Sequence, residues 1–184
     1  MHIRKIAACL AALVFVAFCF VLFGPTRGMQ VRALKKMVPE VTEYVGNNEE
    51  FFNALLNAHQ RVIEIVGQIS DNSYGTWYSI TVDRGTVTDE LYGALGNYNR
   101  SSFLSDDEWQ LVSSTLLQSN AEMDQCSISI SADTVDFTYS RSMSTHLIIR
   151  SPAIAIKDPI VYTQPFEFTI PVNYDWCIYI CNWH

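Results

Sequence analysis

No acidic residue occurs before Glu40, and the eighteen residues from Ile6 to Phe23 include no polar or charged side chain. A helix over that run rises about 27 Å, close to the roughly 30 Å hydrocarbon core of a bilayer. A buried helix of a soluble domain normally keeps a polar face, and this one has none, so the run is read as a membrane span. Short catalytic signatures are missing too. The sequence has no G-x-S-x-G elbow, H-E-x-x-H, P-loop, EF-hand or C-x-x-C, and Gly93-x-x-Gly96 is too little for a phosphate cradle. These absences take away the local evidence for a zinc protease, a nucleotide or calcium site, or dithiol redox chemistry. They do not exclude catalysis, because triads are assembled from distant positions. Internal repeats and low-complexity stretches are also absent.

The charge that is there is divided sharply. Six of the twelve Lys and Arg precede residue 40 and none of the nineteen acids does, so residues 1–39 carry +6 and residues 40–184 carry −13. A domain that acidic is repelled by phosphate backbones, so nucleic acid is not an expected partner. Arg4, Lys5, Arg27, Arg32, Lys35 and Lys36 flank the apolar run, where anionic headgroups hold them, so membrane lipid is. At 49% hydrophobic and 17% charged residues, the chain belongs among folded proteins.

Three regions follow: a membrane anchor at residues 1–28, a basic juxtamembrane linker at 29–39, and an acidic globular domain at 40–184. Arg4 and Lys5 before an apolar stretch also open a signal peptide. Cleavage after Gly24 leaves the large Leu22 at −3, and Thr26-Arg27-Gly28 is crowded by Pro25 and Arg27. Ile6-Ala7-Ala8-Cys9 resembles a lipoprotein box, but its apolar run follows the cysteine. An uncleaved single-pass signal-anchor is expected, with a cleaved, secreted form as the alternative. The basic residues on the two flanks do not choose the orientation, whereas the short N-terminal tail and the signal-like order put the domain outside. Asn99-Arg100-Ser101 is a glycosylation sequon, one of a kind that arises by chance. Ala7, Ala8, Ala11 and Ala12 form two overlapping small-xxx-small pairs suited to a homodimer, although alanine is common in membrane helices generally.

Periodicity predicts an α+β domain: the N-terminal transmembrane helix, then helices packed on a mainly antiparallel β-sheet. A short helix started by Pro39 is expected over Glu40–Val45. Asn47 and Glu50 suit a capping box, and Phe52, Leu55, Leu56, His59, Val62, Ile63 and Val66 form one apolar face, so a helix is expected over Glu49–Val66. Residues 76–82 read as a strand turned by Asp83-Arg84-Gly85 into a partner at Thr86–Thr88, with a short helix over Asp89–Leu95. Ser105-Asp106-Asp107-Glu108 is a second capping box, with Leu104 placed to staple against Trp109, and opens a helix to about Gln118. Its acids suit a cation site, but capping explains them all. From Cys126 the period is two. Strands are expected on both sides of Ser131-Ala132-Asp133, then at His146–Arg150, Ala153–Ile156, Ile160–Thr163, Phe166–Val172 and Trp176–Cys181.

Candidate chemistry is sparse. His59 falls on an apolar helix face, where a satisfied core histidine is commoner than a ligand. His146 opens a strand with no carboxylate or cysteine nearby in sequence. Cys177 and Cys181 are four apart on a strand, about 13 Å, too far to bridge each other. Cys126 can pair with Cys177 or Cys181 if their strands are neighbours, which leaves one thiol over. As a metal set, Cys177, Cys181 and His184 are too spread and lack a fourth ligand; no metal and no cofactor are expected. Trp176, Tyr179 and Trp183, with Tyr174 beside them, are the candidate ligand-binding rings, the plain alternative being a central strand buried on both faces. Trp77 and Tyr78 pose the same choice. The function expected is a membrane-anchored, exported binding or assembly module with a protein or cell-envelope partner. The alternative is a small membrane-anchored hydrolase built on His146 and an acid.

Overall fold

The computed structural model describes residues 35–68, 75–123, 126–142, 145–151 and 168–182. The Ile6–Phe23 run, the strands expected at Ala153–Ile156 and Ile160–Thr163, and Trp183 and His184 lie outside the described residues. Among the described residues no helix is long and apolar enough to cross a membrane. Contacts along the chain separate Met1–Lys36 from a second unit, Met37–His184, and the architecture below is that of the second.

The second unit is α+β, with three helices packed on an antiparallel seven-stranded sheet. Helix α1 (Val38–Asn47) takes Pro39 in its first turn, where the missing N–H costs nothing. It meets α2 (Glu49–Gln68) at Asn48, whose side-chain amide donates to the Tyr44 carbonyl while its own carbonyl accepts from Phe52 N. The Asn47 cap is therefore replaced by a corner one residue later. The buried face of α2 is also turned from the expected one. Phe51, Ala54 and Ala58 are buried beside Phe52, Leu55, His59 and Val62, while Ile63 is exposed and Leu56 and Val66 are half-buried. Helix α3 (Asp106–Met123) begins at the Ser105 capping box: Glu108 N donates to Ser105 Oγ, and Ser105 N donates back to Glu108 Oε2.

The sheet is built mostly of hairpins. Strands β1 (Trp77–Asp83) and β2 (Thr86–Leu91) turn at Arg84-Gly85, both at positive φ, as a two-residue hairpin with matching twist requires. Strand β2 runs through Asp89–Leu91, where a helix was expected. Leu91 pairs with Tyr78 and Asp89 with Ile80, and the Tyr78 hydroxyl donates to the Asp89 carboxylate. Helical structure starts only at Gly93–Asn97, as a 3-10 turn, with a second at Arg100–Ser102. Then come β3 (Ser127–Ser131), β4 (Val135–Ser142), β5 (Thr145–Ser151), β6 (Phe168–Pro171) and β7 (Cys177–Asn182), in the spatial order β2-β1-β3-β4-β5-β7-β6. The register slips at Tyr139 on β4, a bulge of the sort that sharpens local twist.

All three helices lie on one face of this sheet. Tyr78, Ile80, Ile128, Ile130, Phe137 and Ile149 are buried there by the period-two rule. Rings fill the gap between the layers. Phe137 meets Phe51 at 5.5 Å and stacks with Tyr44, and Phe52 meets Trp176 edge-on at 4.9 Å. Each such burial stabilises the fold by roughly 1.5–3 kcal/mol. Arg61 ties α2 to α3 through both oxygens of Glu108, and His59 anchors the β3–β4 turn through Nε2 and the Ala132 carbonyl. Burial lowers the His59 pKa, against the opposing effects of Ala132 and Asp133. This histidine serves the core.

Candidate functional site

Every second residue of β1 and β3 points away from the helices, and most of those residues are hydroxylic: Ser79 and Thr81 on β1, between Trp77 and Asp83 at its ends, and Ser127, Ser129 and Ser131 on β3. Pairing aligns them into lines across the sheet. One line runs Glu90, Ser79, Ser129, Asp136, Arg150 and Cys177; the next runs Thr88, Thr81, Ser127, Thr138, Ile148 and Tyr179. Thr81, Thr88, Glu90 and Ser129 are exposed, and Ser79, Ser127 and Thr138 are half-buried. The face closes further along, where Ile148, Cys177 and Thr169 are buried.

A charge pair marks that boundary. Arg150 donates from Nε and Nη2 to the two oxygens of Asp136, at 2.6 and 2.7 Å, and its guanidinium lies 4.1 Å from the centre of the Tyr179 ring. Burial alone would lower the Arg150 pKa, but the hydrogen bonds and charge of Asp136 outweigh it and raise it. Two bonds in a fork fix both side chains and leave the pair with no net charge.

At the opposite corner stand two exposed rings. Trp77 and Tyr92 are stacked, with centroids 4.6 Å apart and planes inclined by 23°, each 37% exposed. Backbone geometry holds them there. Tyr92 N donates to the Trp77 carbonyl, extending the hairpin register by one pair, and the Tyr92 hydroxyl donates to the Glu90 carboxylate. Gly93 follows at φ +61, and a Cβ on it would lie 2.6 Å from both the Gly75 carbonyl oxygen and Thr76 Oγ1. Ala94 N donates to that same Thr76 hydroxyl. Only glycine fits this seam, so the chain leaves Tyr92 in one direction.

The rings singled out from sequence are not brought together. Trp176 is buried against Phe52 on the helix side, Tyr179 lies on the other face under Arg150, and Trp183 is outside the described residues. Trp176, Cys177 and Ile178 are all buried, as a strand covered on both faces requires, while Tyr174 is exposed at the β6–β7 turn. The disulfide from Cys126 to Cys177 or Cys181 needed β3 and β7 to be neighbours. Strands β4 and β5 intervene, about 14 Å at the usual spacing, well beyond the reach of a bridge. Cys126 adjoins Tyr44 and Tyr139 on the helix side, whereas the Cys177 thiol donates to the Arg150 carbonyl on the other; both are buried thiols. His146 occupies a register position opposite Arg141 and Cys181.

Among the described residues no group of three or more His, Cys, Asp and Glu could hold a metal ion. Depressions of about 260–350 Å³ surround the α1–α2 corner, lined by residues such as Asn47, Asn48, Glu49 and Thr115. In one of them the Tyr44 and Ser119 hydroxyls are already engaged: Tyr44 donates to Ser119 Oγ, which donates to the Thr115 carbonyl. Burial raises the Tyr44 pKa, so the phenol stays protonated. The open sheet face is the better candidate. Trp77 was visible in the sequence as one of two choices, but Tyr92 was hidden by reading Asp89–Leu95 as a helix. Had the expected strand been extended from Thr88 by four residues, the cross-strand pair would have appeared. No protein family, curated protein or solved structure matches the chain.

Proposed function

We propose that this chain is a membrane-tethered, exported binding module whose working surface is the open hydroxyl face of the sheet. The tether is supported by the uninterrupted apolar run Ile6–Phe23 and its basic flanks. The observation that carries the binding reading is the stacked Trp77–Tyr92 pair, held exposed by the Gly93 seam beside a field of hydroxyls. Two large rings contribute more to folding when hidden, and a backbone that fixes them in solvent favours contact with something else.

The test is a Ser129→Cys variant of the full chain, with Cys9, Cys19, Cys126, Cys177 and Cys181 replaced by Ala. A membrane-impermeant maleimide is expected to label Ser129→Cys on intact cells. Labelling only after lysis overturns the exported reading. A photo-crosslinking residue at Ser129 is expected to yield discrete envelope adducts, and the same residue at Glu64 on α2 is expected not to. Equal yields from both positions overturn the choice of face.

A further inference from the structure

We infer that the Trp77–Tyr92 corner and the adjoining hydroxyl rows bind an uncharged glycan, an assignment that rests on the binding reading above. A pyranose ring has an apolar C–H face and a rim of hydroxyls that both donate and accept. The corner answers each part. The rings supply an apolar platform, exposed and fixed in direction by their backbone pairing. Beside it, Ser79 and Ser129 supply hydroxyls that donate or accept by rotating one bond. At the rim, Glu90 supplies a carboxylate oriented by the Tyr92 hydroxyl, an acceptor for the rim hydroxyls of a sugar.

Charge narrows the class. Between Glu90 on β2 and the paired Asp136–Arg150, the lines across β1 and β3 carry no formal charge. A phosphate, sulfate or nucleic-acid ligand needs cations aimed at it, and the Arg150 guanidinium at the border is already held by both carboxylate oxygens. A lipid chain needs a contiguous apolar patch, whereas here two rings adjoin hydroxyls. A basic peptide would be drawn instead to the acids of the helix layer, Glu43, Glu49, Glu50 and Glu64, all exposed. A neutral polyhydroxylated ligand is what remains complementary to both the platform and the uncharged field.

Preorganisation supports the assignment. The platform is set by backbone, so little ordering entropy is lost when a ligand stacks on it.

The test uses the full chain in detergent micelles and three uncharged probes: cello-, chito- and manno-oligosaccharides, each titrated by calorimetry. A sulfated oligosaccharide of equal length is the charged control. Saturable binding of at least one neutral probe is expected, weakened roughly tenfold by Trp77→Leu, a loss typical of one aromatic platform. Ser129→Asp, at an exposed serine that the fold tolerates, is expected to weaken binding by a similar factor, so the inference does not hang on one ring substitution. Glu64→Gln is expected to change nothing. Silence from all three neutral probes, preference for the sulfated control, or full affinity in both Trp77→Leu and Ser129→Asp overturns the glycan assignment. If crosslinks from Ser129 still form while no sugar binds, the glycan class falls and the binding face stands. If both fail, both fall.

Discussion

The two faces of the sheet follow different rules. Toward the helices, Ile128, Ile130, Val135 and Phe137 are each no more than 1% exposed, and aromatic rings close the space between the layers. On the reverse of the same strands, Ser127, Ser129, Asp136 and Thr138 form rows, and among the described residues no helix lies against them. Alternation along a strand thus separates two tasks residue by residue. Odd positions of β3 are available to evolve for contact, while even positions hold the fold. Substitutions on the two faces are therefore expected to act on different measurements, and four of them test the contrast.

The largest effect is expected on the covered face. Phe137→Ala removes the ring that meets Phe51 and Tyr44, and urea denaturation of the full chain in micelles is expected to show a loss of about 3–5 kcal/mol. A loss under 1 kcal/mol would break the contrast. Next comes a place where the reverse face bears load. Arg150→Ala strands Asp136, whose side chain is 21% exposed, and is expected to cost about 1–3 kcal/mol in the same assay.

A third expectation concerns pH and the helix layer. Burial would raise the Glu108 pKa, but hydrogen bonds from Arg61, Ser105 and Asn57 outweigh it and bring it to about 2, below its ordinary value of 4.5. A carboxyl depressed in the folded state contributes stability that is complete above 4.5 and is lost as pH falls toward about 2. Glu108→Gln is expected to be less stable than the natural chain at neutral pH, with the gap narrowing across that interval in acid titrations followed by circular dichroism. A gap independent of pH would show that the Arg61 contact acts through packing alone. The smallest effect is on the open face. Ser129→Ala is expected to leave the stability within about ±0.5 kcal/mol of the natural chain while weakening ligand binding.

Much of this arrangement was legible in the residues. Local signals worked where the physics was local: the Ser105–Glu108 capping box, the Ser131-Ala132-Asp133 turn and the Pro39 helix start each formed as expected. Strand order is not a local property. Strand β1 pairs with β3 across the whole of α3, and no residue of either announces the other. The open face could be inferred from Ser-Ile-Ser-Ile-Ser, but its aromatic corner depended on where β2 stops. The grouping of Trp176 with Tyr179 failed for a reason already in the spacing. Residues three apart on a strand point to opposite faces, so these two rings were never able to share a surface while extended.

The sheet's two ends bear on how such chains behave at close quarters. Among the described residues it is an open sheet, bordered by β2 and β6, and any border strand exposes backbone groups that another copy's strand can join. Strand β2 carries Asp89 and Glu90, so two copies meeting there repel. Strand β6 is four residues long and ends in Pro171, whose nitrogen has no hydrogen to give. At high local concentration a sticky border would seed cross-β aggregates. Acids on one border and a proline on the other disfavour edge-to-edge pairing between copies of the chain.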